Sequence, residues 1–171
     1  MSDIFNSSSL VLNNATELQK NLINFAGNQL IYIIVGLFLI YLIFKLLNQG
    51  LNIIKLSVFA LPIIYLLYRL TNYFVNTPSP YITDNFTPLL QVSNKSSFPS
   101  EYTMWIVAIG LIVFSESKII GGILFIIAGI VGYSTILGGA NRIEDVLASF
   151  AISIVGMIIA KVILNFLEKK N

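Results

Sequence analysis

The chain has 171 residues, 56% of them hydrophobic and 11% charged, with a net charge of +2 and neither cysteine nor histidine. The apolar fraction exceeds the ~45–50% usual for soluble domains, the charged fraction is under half the usual ~25%, and the excess sits in long runs, as in one integral membrane domain. This composition excludes disulfides and cysteine nucleophiles, leaves no conventional zinc, copper or haem ligands, so that no metal and no cofactor is expected, and gives no electrostatic footprint for nucleic acid.

The N-terminal stretch Met1–Asn6 lacks the basic and apolar regions of a signal peptide. Next, Val11, Ala15, Leu18, Leu22 and Phe25 recur at helical spacing and give one apolar stripe. Asn14, followed three residues later by Glu17, resembles a capping box. The expectation is an interfacial amphipathic helix over roughly 14–26, within an extracytoplasmic segment 1–26 that precedes a membrane domain 27–171.

Five apolar segments follow, at about 28–47, 51–75, 103–114, 119–137 and 146–167. A membrane-spanning helix takes ~20 apolar residues, so four qualify outright. The third is short unless its helix starts near Ser100, and it forms a hairpin with the fourth through Ser115-Glu116-Ser117-Lys118. The fold class is therefore all-α, a polytopic membrane helix bundle with five transmembrane helices plus the N-terminal interfacial helix. Lys45 and Lys55 flank the first connection, and the chain ends Glu168-Lys169-Lys170-Asn171. Basic flanks favour the cytoplasm, which puts the C-terminus inside and the N-terminus outside a plasma membrane. Four Asn-x-Ser/Thr sequons, at Asn6, Asn14, Asn85 and Asn94, all fall outside under this topology. They are glycosylation candidates, as in an archaeal glycoprotein; an Asn- and Ser-rich chain also makes such sequons by chance.

Ala128/Gly132, Ser149/Ser153 and Gly156/Ala160 are small pairs four residues apart. Such faces let membrane helices approach closely, either within the bundle or against another subunit. Arg69 lies about 9 Å inside the outer end of the second span. It could hold a lipid phosphate, pair with Asp145 or Glu144, or extend to the headgroups. Trp105 and several tyrosines form the ordinary interfacial belt.

The long connection before the third span ends Ser97-Phe98-Pro99-Ser100-Glu101-Tyr102. This resembles the Ser-Phe-Pro-Ser-Gly-His signature of the type 2 phosphatidic-acid phosphatases, with Tyr102 at the histidine. Upstream, Thr77-Pro78-Ser79-Pro80-Tyr81 resembles the family's Arg-Pro-Arg-Pro-Phe, with both arginines replaced. Downstream, the stretch from Thr135 to Ala148 fits the family's third motif without gaps. Gly139 and Asp145 are kept, Thr135 replaces arginine and Asn141 replaces the nucleophilic histidine. The resemblance covers about 51–165 and implies a phosphatase-like core.

It also implies a chemistry that these residues do not supply. The family uses a histidine nucleophile oriented by aspartate, a second histidine as acid, and lysine and arginines around the phosphoryl oxygens. Asn141 offers no free lone pair on its conjugated nitrogen. Tyr102 is a phenol that holds its proton well above neutral pH. Thr77, Ser79 and Thr135 keep hydroxyls but remove guanidinium charge. The expectation is a degenerate, catalytically inactive pseudoenzyme, not an enzyme. Its relic pocket would comprise Arg69, Thr77, Ser100, Tyr102, Thr135, Asn141, Arg142 and Asp145. For Asp145 the preferred reading is a cap on the fifth span, ahead of a role in a polar cluster. Three functions are weighed: first a non-catalytic accessory or structural subunit of a larger membrane complex, for which a respiratory or other energy-transducing assembly is a guess; second a binding protein for lipid or polyprenyl phosphates; and, least favoured, a still-active hydrolase with a rebuilt site. Expected partners are membrane lipids and other integral membrane subunits.

Overall fold

The computed structural model describes residues 15–83, 85–90 and 96–170, and among them all regular structure is helical. Asn6, Asn14 and Asn94 lie outside these residues, while Asn85 is exposed, in the left-handed conformation at φ 52°.

Thr16 caps the first helix. Its hydroxyl accepts the Gln19 N–H at 3.3 Å, and the Gln19 side chain accepts the Thr16 N–H at 2.9 Å, a reciprocal box two residues beyond the expected one. Helix α1 (Glu17–Asn24) then passes through a π turn (Phe25–Gln29) into α2 (Leu30–Leu47). The expected short helix and the first span are thus one continuous 31-residue helix. Leu18, Leu22 and Phe25 of the apolar stripe face outward. Gly27, within the π turn, is buried, and a Cβ there would meet the Leu90 methyls at 2.8 Å.

Helix α3 (Leu51–Val75) returns along α2, and Pro62 lies on its exposed side. A short turn of helix, α4 (Pro80–Thr83), lies in the long connection. Helices α5 (Glu101–Phe114), α6 (Lys118–Leu137) and α7 (Ile143–Lys170) complete the bundle. The two long helices before the connection, α6 and α7 are long and apolar enough to span a membrane, and α5 is a shorter apolar helix. The chain is a polytopic helical bundle of four span-length helices and one shorter apolar helix.

At 14 residues α5 is about 21 Å long, well short of a ~30 Å hydrocarbon core. Its position resolves the discrepancy. Nine of those 14 residues are buried, because α5 runs through the middle with α3, α6 and α7 packed around it. It starts at Glu101, as the hairpin reading required. The small pairs are consumed by this packing. Ala128, Ser149, Ser153 and Ala160 have no exposed surface. A Cβ on Gly132 would meet Val146 at 2.7 Å, and one on Gly156 would meet Ile64 at 2.5 Å. Ser149 and Ser153 donate hydrogen bonds to the Ser100 and Met104 carbonyls at the start of α5, at 2.7 and 3.2 Å. Within this chain these faces join its own helices.

Candidate functional site

Three separate segments meet where α3 ends and α5 and α7 begin. Asn76, left-handed at φ 38°, closes α3 and turns the chain into Thr77–Pro80. The Thr77 carbonyl accepts the Ser97 N–H at 2.9 Å, and Pro78 and Ser96 form an isolated antiparallel bridge. Asn72, one turn before the end of α3, donates through Nδ2 to the Phe98 carbonyl at 2.8 Å. The first two segments are therefore tied by backbone and side chain together.

The third segment closes on the second. Asn141 Nδ2 donates to the Ser97 carbonyl at 2.7 Å, and Ser100 Oγ donates to Asn141 Oδ1 at 3.3 Å. The Ser100 N–H donates to the Asp145 carbonyl at 3.1 Å, and Ser100 Oγ lies 3.0 Å from Thr103 Oγ1. The Asp145 carboxylate accepts the Arg142 N–H at 2.6 Å, with the Ser97 and Asn141 side chains beside it. Asp145 is the third residue of α7, so it both caps the helix and binds its charge where the helix dipole favours it. The cap and the polar cluster are the same structure, and neither reading of Asp145 excludes the other.

Thr135 acts through its carbonyl, which accepts the N–H groups of Ala140 and Asn141 at 2.9 and 3.2 Å, while its buried hydroxyl donates to Gly132. That bond pair makes the tight turn between α6 and α7. Gly139 in this turn is at φ 77°, and a Cβ on it would overlap the Phe86 ring at 2.3 Å. Phe86 and Leu90 thus press the long connection onto the turn, and Arg142 Nη2 donates to Thr83 Oγ1 at 3.2 Å across the same seam. Thr83 and residues 85–90 of the connection thus form a strap across the α6–α7 turn, beside the cluster.

Ser100, Thr135, Asn141, Arg142 and Asp145 come together as the motifs implied, with Thr77 joined through its backbone. Two expected members do not join. Tyr102 lies beside Tyr32 of α2, on the side of α5 that faces the first helix. Arg69 is exposed on α3 and makes no ion pair with buried Asp145 or exposed Glu144. Sequence reasoning passed over Asn72, Thr83 and Ser97. Ser97 stood inside the matched motif, whereas Asn72 and Thr83 carried no local pattern. Among the described residues no three metal-ligating side chains converge.

No protein-family model matches the chain, and no curated protein matches it. Two solved structures do. The crystal structure of Aquifex aeolicus LpxE superposes with a TM-score of 0.70 at 26% identity, covering 91% of this chain and 92% of that one. A transmembrane PAP2-type phosphatidylglycerolphosphate phosphatase from Bacillus subtilis gives a TM-score of 0.49 at 20% identity, over 98% and 94% of the two chains. The expectation that the chain is not an enzyme is corrected by the first likeness. It extends along nine-tenths of both chains at 26% identity and points to an enzyme of the same fold. The missing histidines exclude one route, through a phosphohistidine, and are not by themselves a sign of an inactive protein.

Proposed function

Since the chain belongs to the type 2 phosphatidic-acid phosphatase superfamily, we propose that it hydrolyses a phosphate monoester of a membrane lipid at the end of the bundle where the three segments meet. The observation that carries this reading is the convergence of Thr77, Ser97–Ser100 and Asn141–Asp145 through hydrogen bonds of 2.6–3.3 Å. Without histidine the phosphoryl group passes directly to water: the water oxygen bonds to phosphorus, the ester P–O bond breaks, and the lipid alkoxide takes up a proton. Asp145 is the carboxylate of the cluster and the acceptor for the water's proton. Arg142 stands at the rim beside Thr83 and supplies positive charge for the phosphoryl oxygens. Because Asp145 is 1% exposed, substrate entry on this reading lifts the strap that carries Thr83 and Phe86.

The test is phosphate release by purified protein from long-chain phosphatidic acid in mixed micelles. Release should exceed that of protein-free micelles and fall by about 10²–10⁴-fold in Asp145→Asn, the range for loss of a general base. Asn can still accept the Arg142 N–H, so the cap survives. Absence of release, or full release by Asp145→Asn, would sink the proposal. The same reading puts this end of the bundle outside a plasma membrane, with the C-terminus in the cytoplasm, because Lys45, Lys55, Lys118 and Lys169 gather at the other end.

A further inference from the structure

Away from the strap, α2, α5 and α6 leave a groove of about 170 Å3 between them. Ile34, Phe38 and Tyr41 line it from α2, Val113 from α5, and Ile120 and Leu124 from α6. The groove exists because α6 meets the first helix mainly at the strap end, through α1 and the π turn. Beyond that point α2 keeps to α3 and α5, and a gap stays open beside α6. From Ile34 to Tyr41 it extends about 10 Å along the helix axis.

Its surroundings limit what can fill it. The rim residues Leu37 and Ile120 are 62% and 51% exposed, and both belong to helices that span the membrane. An apolar slot at that depth gives water no hydrogen-bonding partners, so hydrocarbon fills it. Its lower end, by contrast, is polar. Tyr41 donates to Glu116 at 2.7 Å, and Lys45 pairs with the same carboxylate at 2.6 Å. Lys118 follows the Ser117 cap of α6, two residues before Ile120, and makes no ion pair among the described residues. The open N–H groups of that helix start add positive potential beside it. A slot for hydrocarbon that ends at an uncompensated cation fits an acyl chain attached to an anionic headgroup.

We infer that this groove holds one acyl chain of an anionic glycerophospholipid from the leaflet at the Glu116 end, with its phosphate beside Lys118. It lies at the opposite end from the strap and does not depend on the phosphatase reading. The test uses phosphatidylglycerol carrying a photoreactive diazirine in one acyl chain, incorporated with the purified protein in lipid nanodiscs. Phosphatidylcholine with the same chain is run in parallel. Cross-links should concentrate on Val113 and Leu124, with phosphatidylglycerol labelling several-fold above phosphatidylcholine. Leu37→Trp and Ile120→Trp enlarge exposed rim positions without entering the core, and each should cut this labelling several-fold. Ile126→Trp, 67% exposed elsewhere on α6, should leave it unchanged. Lys118→Glu should remove the preference for the anionic lipid while labelling of the groove persists. Labels spread evenly over the lipid-facing helices, or full groove labelling in both rim variants, would overturn the slot. Equal labelling by the two lipids in the unmutated protein would overturn the anionic assignment.

Discussion

Asp145 is buried and its carboxylate accepts a backbone N–H at 2.6 Å, so its removal leaves a buried donor at the start of α7 without a partner. Asp145→Ala should therefore lower stability by about 1–3 kcal/mol. Asp145→Asn should recover part of that loss, and thermal unfolding of the detergent-solubilised variants measures both. Glu116 offers a second test at this scale. Burial alone would raise its carboxyl, but hydrogen bonds from Lys45 and Tyr41 outweigh that and hold it below the usual glutamate range. A carboxyl lowered in the folded state stabilises above its unfolded value and loses that contribution as pH falls through the folded one. Glu116→Gln should be less stable than the parent at pH 7, by no more than about 1 kcal/mol because the pair is partly exposed. The gap should close as pH falls below about 4, near the unfolded glutamate value; a gap that persists in acid would refute the pairing. Of the residues that form the cluster, Ser100, Asn141 and Asp145 were legible because they occupy ordered motifs. Tyr102 lies off the cluster because a motif fixes a position along a helix and leaves the direction of the side chain to its neighbours, and exposed Arg69 fits the alternative of extension to the headgroups.

At the scale of elements, the α5–α6 hairpin is held by backbone proximity. A Cβ on Gly121 would sit 2.5 Å from the Phe114 Cα, whereas one on Gly122 meets nothing within 4 Å. Gly121→Ala should destabilise by about 1–3 kcal/mol through overpacking against backbone that cannot yield. Gly122→Ala should be neutral or stabilising by up to about 1 kcal/mol, since alanine is the better helix former. Unfolding midpoints of the two single variants decide the point, and equal effects would contradict the close approach. The five apolar segments were readable from hydropathy alone. The π turn was not; it coincides with a contact between residues far apart in sequence, where Leu90 seats on Gly27 and Gly138 together. The short α5 was readable as a span only through its flanking motif, and its burial explains why hydropathy and length disagree there.

For the whole molecule, the start of α1 and the end of α7 lie at opposite ends of the bundle. The cysteine-free sequence makes orientation directly testable. Asn85→Cys should react with a membrane-impermeant maleimide on intact cells, and Lys169→Cys should react only after lysis. The reverse pattern would invert the topology. The sequence by itself determined the membrane class, the five apolar helical segments, the order of the three motif segments and the exclusion of histidine chemistry. Each of these is written in composition, run length or local order. Tertiary structure decided which small faces are internal, that the cap of α7 and the polar cluster share one carboxylate, that the long connection is a strap, and where an open groove remains. Those outcomes depend on how separate helices approach one another, which is set by packing and backbone hydrogen bonds between segments distant in the chain.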